Sequence, residues 1–164
     1  MSEPRIEHAI NETLIGDTQR NALAFVAYLS TNEILSVRLA TGYWEDKLYF
    51  VCSYRGKSVC YILINGYEEG SWVIWSDDSG SNWFEEFPLD EHTKEIAWRN
   101  VDVCTGGNCA GCSNPGRGTR KTIFGKEINH VCGTAMKFIN PDAETVECMK
   151  RIFEMRKNDI LETM

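Results

Sequence analysis

The chain lacks most of the features that announce a function. No apolar run approaches the roughly 20 residues of a membrane helix, so no membrane span is expected. The first twenty residues, from Met1 to Arg20, are polar and acidic and do not read as a secretory signal. There is no excess of basic residues: 17 Lys and Arg stand against 24 Asp and Glu, a formal net charge of −7. A nucleic-acid binder needs a basic footprint, so that class is set aside. No Gly-x-Ser-x-Gly, His-Glu-x-x-His or dinucleotide fingerprint occurs. Gly125-Lys126 is followed by Glu127, which excludes a phosphate loop ending in Gly-Lys-Ser/Thr. Asp77, Asp78 and Ser79 lack the spacing and distal glutamate of a calcium loop and read as a turn. His8 and His92 have no visible nucleophile partner. Internal repeats, low-complexity tracts and interdomain linkers are also absent.

What is present fits one globular domain. The 164 residues are 43% hydrophobic and 25% charged, enough to bury a core. A cytoplasmic location is expected, where stable disulfides are rare. The seven cysteines are an odd number, which rules out complete internal pairing and points to metal or thiol chemistry.

Four cysteines can form one constellation. Cys104, Cys109 and Cys112 follow C-x4-C-x2-C spacing, and Cys132 comes later. Structural zinc takes four soft ligands in a tetrahedron, commonly with a paired knuckle such as Cys109-Ala110-Gly111-Cys112. His130 is an alternative ligand. Four thiolates around a divalent cation leave a charge near −2. No acidic residue lies between Val103 and Lys126, while Arg117, Arg120 and Lys121 can balance the thiolates. Zinc is the cofactor expected. The spacing also resembles that of plant-type ferredoxins around a two-iron cluster. A redox-active thiol and plain reduced cysteines are the other readings. Cys52 and Cys60 read as buried small hydrophobes.

The basic run Pro115–Lys121 suggests an anion contact through Arg117, Arg120 and Lys121, with charge compensation as the plainer role. Four of the five tryptophans, Trp72, Trp75, Trp83 and Trp98, are candidates to wall a small-ligand pocket or to fill the core.

The organisation expected is α+β. Residues 1–15 read as a flexible arm and 16–164 as the domain. Asp17 is expected to cap a helix over Thr18–Ser30, with Ala22, Leu23, Val26 and Leu29 at helical spacing. Leu35–Leu39 alternates as a strand. Leu48–Tyr54, the turn Arg55-Gly56-Lys57 and Ser58–Ile64 form a hairpin. Trp72–Trp75 adds a third strand and completes a β-meander. Glu91–Trp98 is a helix or a strand, Cys104–Gly118 is irregular, and Val131–Ile139 is a returning strand. Asn140 is expected to cap a final helix, with Pro141 in its first position and Val146, Met149, Ile152 and Phe153 as its apolar stripe. The sheet is mostly antiparallel, curved, and packed by the first and last helices.

Four segments carry a resemblance: Tyr54-Arg55-Gly56-Lys57-Ser58-Val59-Cys60-Tyr61, Trp75-Ser76-Asp77-Asp78-Ser79-Gly80, Ile123-Phe124-Gly125-Lys126-Glu127, and Asn140-Pro141-Asp142. Together they resemble a bacterial family of small YdhG-like α+β proteins. The resemblance implies a compact domain with a curved antiparallel sheet and carries over no catalytic residues. The function expected is binding of a small molecule, with a structural zinc in the cysteine loop. The alternatives are a thiol- or metal-dependent enzyme acting on a small electrophilic or aromatic substrate, and a protein-interaction module.

Overall fold

The computed structural model describes residues 5–66, 68–77, 89–103 and 118–163. It is α+β, with a curved antiparallel sheet packed by helices from both ends of the chain. The elements are α1 (Ile6–Thr13), α2 (Gly16–Thr31), β1 (Leu35–Arg38), β2 (Leu48–Tyr54), β3 (Lys57–Ile64), β4 (Trp72–Ser76), α3 (Glu91–Arg99), β5 (Val101–Val103), β6 (Thr119–Ile123), β7 (Lys126–Ile139) and α4 (Ala143–Thr163). The strand order is β1-β2-β3-β4-β7-β5, with β6 also paired to β7.

The hairpin β2–β3 forms because two apolar runs flank a turn with the right handedness. Arg55 (φ 51°) and Gly56 (φ 81°) both take positive φ, the twist a two-residue hairpin prefers. Alternation then sorts the side chains. Phe50, Cys52, Cys60, Ile62, Ile64, Trp72, Ile74 and Phe138 face the helices and join the main core with Phe25, Leu29, Met149, Ile152 and Phe153. Cys52 and Cys60 are fully buried and opposite each other in register, as expected for small hydrophobes.

Three expectations need correction. Residues 6–14 are not a loose arm: Ile6, Ala9, Ile10 and Leu14 are buried, and α1 packs on α2. The reason is their 3, 1 and 4 spacing, which makes one apolar helix face. Asp17 does not cap α2. The cap position is Ile15, without a side-chain hydrogen bond, and Asp17 lies in the first turn paired with Arg20. Nor does Asn140 cap the last helix. Asp142 does, accepting from the Thr145 amide at 2.8 Å. Asn140 instead clasps β4: its Oδ1 accepts from the Trp72 amide, and its own amide donates to the Trp72 carbonyl, both at 2.9 Å.

One charged group is buried between α4 and the sheet. Arg156 is 5% exposed. Its Nε donates to the Ser58 carbonyl at 3.0 Å, and its Nη1 reaches Asp159 at 2.9 Å. The buried guanidinium is thus paired and hydrogen-bonded, the condition for tolerating a charge there.

Candidate functional site

Two places in the fold concentrate chemistry. The first is a corner of β7. Val131 is the register partner of Val103, the last residue of β5, and also of Thr119, the first residue of β6. The cysteine loop therefore leaves the sheet and rejoins it beside the same residue. Val103 precedes Cys104, and Val131 precedes Cys132. The rejoining point is tight. A Cβ added at Gly118 would sit 2.3 Å from the backbone carbonyl carbon and oxygen of His130, so only glycine admits this approach.

Cys132 is half-buried at this corner. The Thr134 hydroxyl donates toward its Sγ at 3.7 Å. Lys121 Nζ donates to its carbonyl at 3.3 Å. Burial holds the Lys121 ammonium below its ordinary pKa, with the Cys132 charge acting in the opposite sense. Cys104, Cys109, Cys112 and Arg117 lie outside the described residues. Among the described residues no three metal-ligating side chains converge. His130, the alternative ligand, is exposed, with φ 60°.

Of the basic residues Arg117, Arg120 and Lys121, the two described ones contact the protein itself. Arg120 pairs with Glu127 across the β6–β7 hairpin at 2.6 Å, and Lys121 is turned to Cys132.

The other described cysteines are poor nucleophiles. Cys52, Cys60 and Cys148 are all buried. Burial pushes the Cys148 thiol up to about 12 and raises Cys60 as well, assisted by hydrogen bonding to Cys52. Any reactive-thiol chemistry therefore falls to Cys132 and the loop.

The second place is the sheet face on which no helix of the described residues packs, the helix-free face. One register row crosses it: Val37, Val51, Tyr61, Trp75 and Lys137. Tyr49 lies diagonal to Tyr61 on the adjacent strand, and their rings stack at 6.2 Å with an interplanar angle of 5°. Trp44, from a 3-10 turn over Gly42–Trp44, stacks on Tyr49 at 3.9 Å and 9°. The edge of Tyr43 closes on Trp44 at 4.8 Å, and Lys47 Nζ sits 4.4 Å from the Tyr43 ring centre. At the other end Lys137 Nζ lies 5.9 Å from the Trp75 ring centre. These are cation–π distances.

Polar groups mark the centre of this row. Asp77 is 2% exposed and accepts from the Tyr61 hydroxyl at 2.9 Å. Burial raises the Tyr61 phenol above its ordinary pKa, with Asp77 adding to it. Burial also raises Tyr49, with a further contribution from Tyr61. Both phenols stay protonated at neutral pH and can act as hydrogen-bond donors. Leu63 and Val73 complete the face; both are buried yet stand outside the main core.

The tryptophans expected to wall one pocket are separated. Trp72 and Trp75 are three residues apart on one strand and so point to opposite faces. Trp72 is fully buried in the main core, its ring 6.0 Å from Phe25. Trp98 lies on α3, donating its Nε1 to the Ile123 carbonyl at 2.7 Å, with Lys126 Nζ 5.2 Å from its ring centre. Trp83 lies outside the described residues. Only Trp75 among the described three belongs to the helix-free face. Its aromatic companions there, Trp44, Tyr49 and Tyr61, come from the hairpin and the turn before it. The hairpin register gives a sequence signal for the two tyrosines, since Val51 pairs Tyr61 and Tyr49 is two residues from Val51.

Comparison with protein-family models, curated proteins and solved structures gives no match.

Proposed function

We propose that this protein is a small-molecule-binding domain whose ligand is planar and lies against the Trp44–Tyr49–Tyr61–Trp75 row. The observation that supports this most is the Trp44–Tyr49–Tyr61 ring stack, with the buried Asp77 carboxylate hydrogen-bonded to Tyr61. Parallel rings accept a planar ligand by extending the stack. Tyr61 and Asp77 supply the few polar groups that orient it, as binding sites generally require. A structural zinc held by Cys104, Cys109, Cys112 and Cys132 would fix the loop whose two ends meet at Val131. The soft donor set suits zinc, and the Lys121 ammonium, held at the Cys132 carbonyl, would offset part of the charge of a four-thiolate site. Nothing in this reading requires bond-making chemistry, and it belongs to a non-enzymatic binder.

The test is a nuclear magnetic resonance screen of planar aromatic fragments, read on the five indole N–H signals, with Trp75→Phe assigning one of them. Fragments that bind should move the Trp44 and Trp75 signals and leave Trp72 still. Tyr61→Ala should weaken those fragments. No bound fragment, or shifts confined to other indoles, would remove the proposal.

A further inference from the structure

Among the described residues β1 ends the sheet, with β2 on one side and no strand on the other. Its apolar side chains, and that of Leu39 just beyond its end, are outward. Leu35, Val37 and Leu39 are 67%, 60% and 38% exposed. Edge strands are normally blunted by proline, a bulge or a projecting lysine. β1 has none of these. Its register with β2 runs unbroken from Leu35↔Ser53 to Arg38↔Phe50. The Arg38 side chain turns back, donating from Nε and Nη2 to the Lys47 carbonyl of its own chain at 3.4 and 3.3 Å.

We infer that β1 pairs antiparallel with β1 of a second copy, about a two-fold axis at Val37, to give a homodimer with one continuous sheet. Self-complementarity selects a second copy over another partner. A two-fold axis normal to the sheet keeps each face on the same side, so residues meet partners of equal parity. Centred on Val37, it sets Val37 against the second copy's Val37, and Leu35 against the second copy's Leu39. All three exposed apolar side chains of the edge are then covered by the same three. The backbone agrees. Leu39 donates its amide to Tyr49 of β2 at 2.9 Å. Residues of that parity therefore aim their backbone groups inward, and Ser36 aims outward. Val37 then meets its copy as a non-hydrogen-bonded pair, the kind with Cα atoms about 4.5 Å apart and side chains in contact.

The dimer has a consequence for the helix-free face. The row Val37–Val51–Tyr61–Trp75–Lys137 would continue across the axis into its own copy, which places two aromatic rows end to end on one side. The pairing does not depend on what that face binds. Five residues per copy bury less than the roughly 1,200 Å² of a standard interface, so the dimer is weak and concentration-dependent.

Sedimentation equilibrium of the full chain, under reductant and over a wide concentration range, tests this. The expected result is a reversible monomer–dimer equilibrium that Val37→Lys weakens about tenfold or more, since like charges directly opposite repel. Val37 is exposed, so the variant should keep the parent circular-dichroism spectrum. Ile139→Lys, at another exposed position, should dimerise like the parent. Amide exchange at Ser36 in the unaltered chain should slow as concentration rises. A chain that stays monomeric throughout, a dimer that survives Val37→Lys, or one that Ile139→Lys weakens equally would overturn the inference.

Discussion

Replacing Arg156 by alanine should be among the most destabilising single changes in α4. The guanidinium is 5% exposed and joins the helix to β3 through the Ser58 carbonyl and to Asp159 through Nη1. The Asp159 side chain is 14% exposed, so the ion pair is largely shielded from water. Removing one member of a buried pair costs about 3–5 kcal/mol, mostly from the charge left behind. Against a total of about 5–15 kcal/mol for a domain, that is a large fraction. For a chain of this size it corresponds to a fall in melting temperature of about 10 °C. The assay is urea unfolding of Arg156→Ala, Asp159→Ala and the double variant. The double variant should be less destabilised than the sum of the singles. A loss below about 1 kcal/mol for Arg156→Ala would refute the reasoning, because values of that size belong to exposed pairs.

Other expectations follow from particular residues. Gly118→Ala forces a Cβ onto the His130 backbone and should lower stability by about 1–3 kcal/mol, as overpacking does, which thermal melting will show. Hydrogen bonds from Thr93 lower the Asp90 carboxyl to about 2, and those from Thr145 lower Asp142. Because both folded pKa values lie below the unfolded ones, their contribution is full above the ordinary carboxylate range. It is lost as pH falls through that range toward about 2. Melting temperature against pH should therefore flatten on the acid side in Asp90→Asn/Asp142→Asn. In native protein, iodoacetamide should leave Cys52, Cys60 and Cys148 unmodified while they label freely in urea, as peptide mass mapping will report.

The sequence made legible whatever rested on a strong local period or turn. The hairpin follows from two apolar runs around Arg55-Gly56, and α4 from the spacing of Val146, Met149, Ile152 and Phe153. What escaped rested on weaker or longer-range terms. Helix α1 has only eight residues, and so short a helix forms only when its apolar face finds a core. Strand β6 has mostly polar residues, and its pairing with β7 is set by the Phe124-Gly125 turn (φ 49° and 86°). Strand β7 was expected only from Val131. His130 and Ala135 take positive φ within it and interrupt the alternation, while the Ser76 hydroxyl bridges Thr134 and Met136 around the second irregularity. The tryptophan pocket failed on parity: residues 72 and 75 of one strand cannot share a face. The aromatic row depended on the turn placing Trp44 over Tyr49, which no local pattern encodes.

We propose that the loop leaving and rejoining the sheet beside Val131 is closed by a zinc ion on Cys104, Cys109, Cys112 and Cys132. Elemental analysis of untagged protein, with an absorption spectrum and a thiol count, tests it most directly. The account predicts about one zinc per chain, no visible absorption, and four protected thiols released by chelation. Metal-free protein with Cys132 and the loop cysteines all freely titratable would contradict it, as would iron with visible bands.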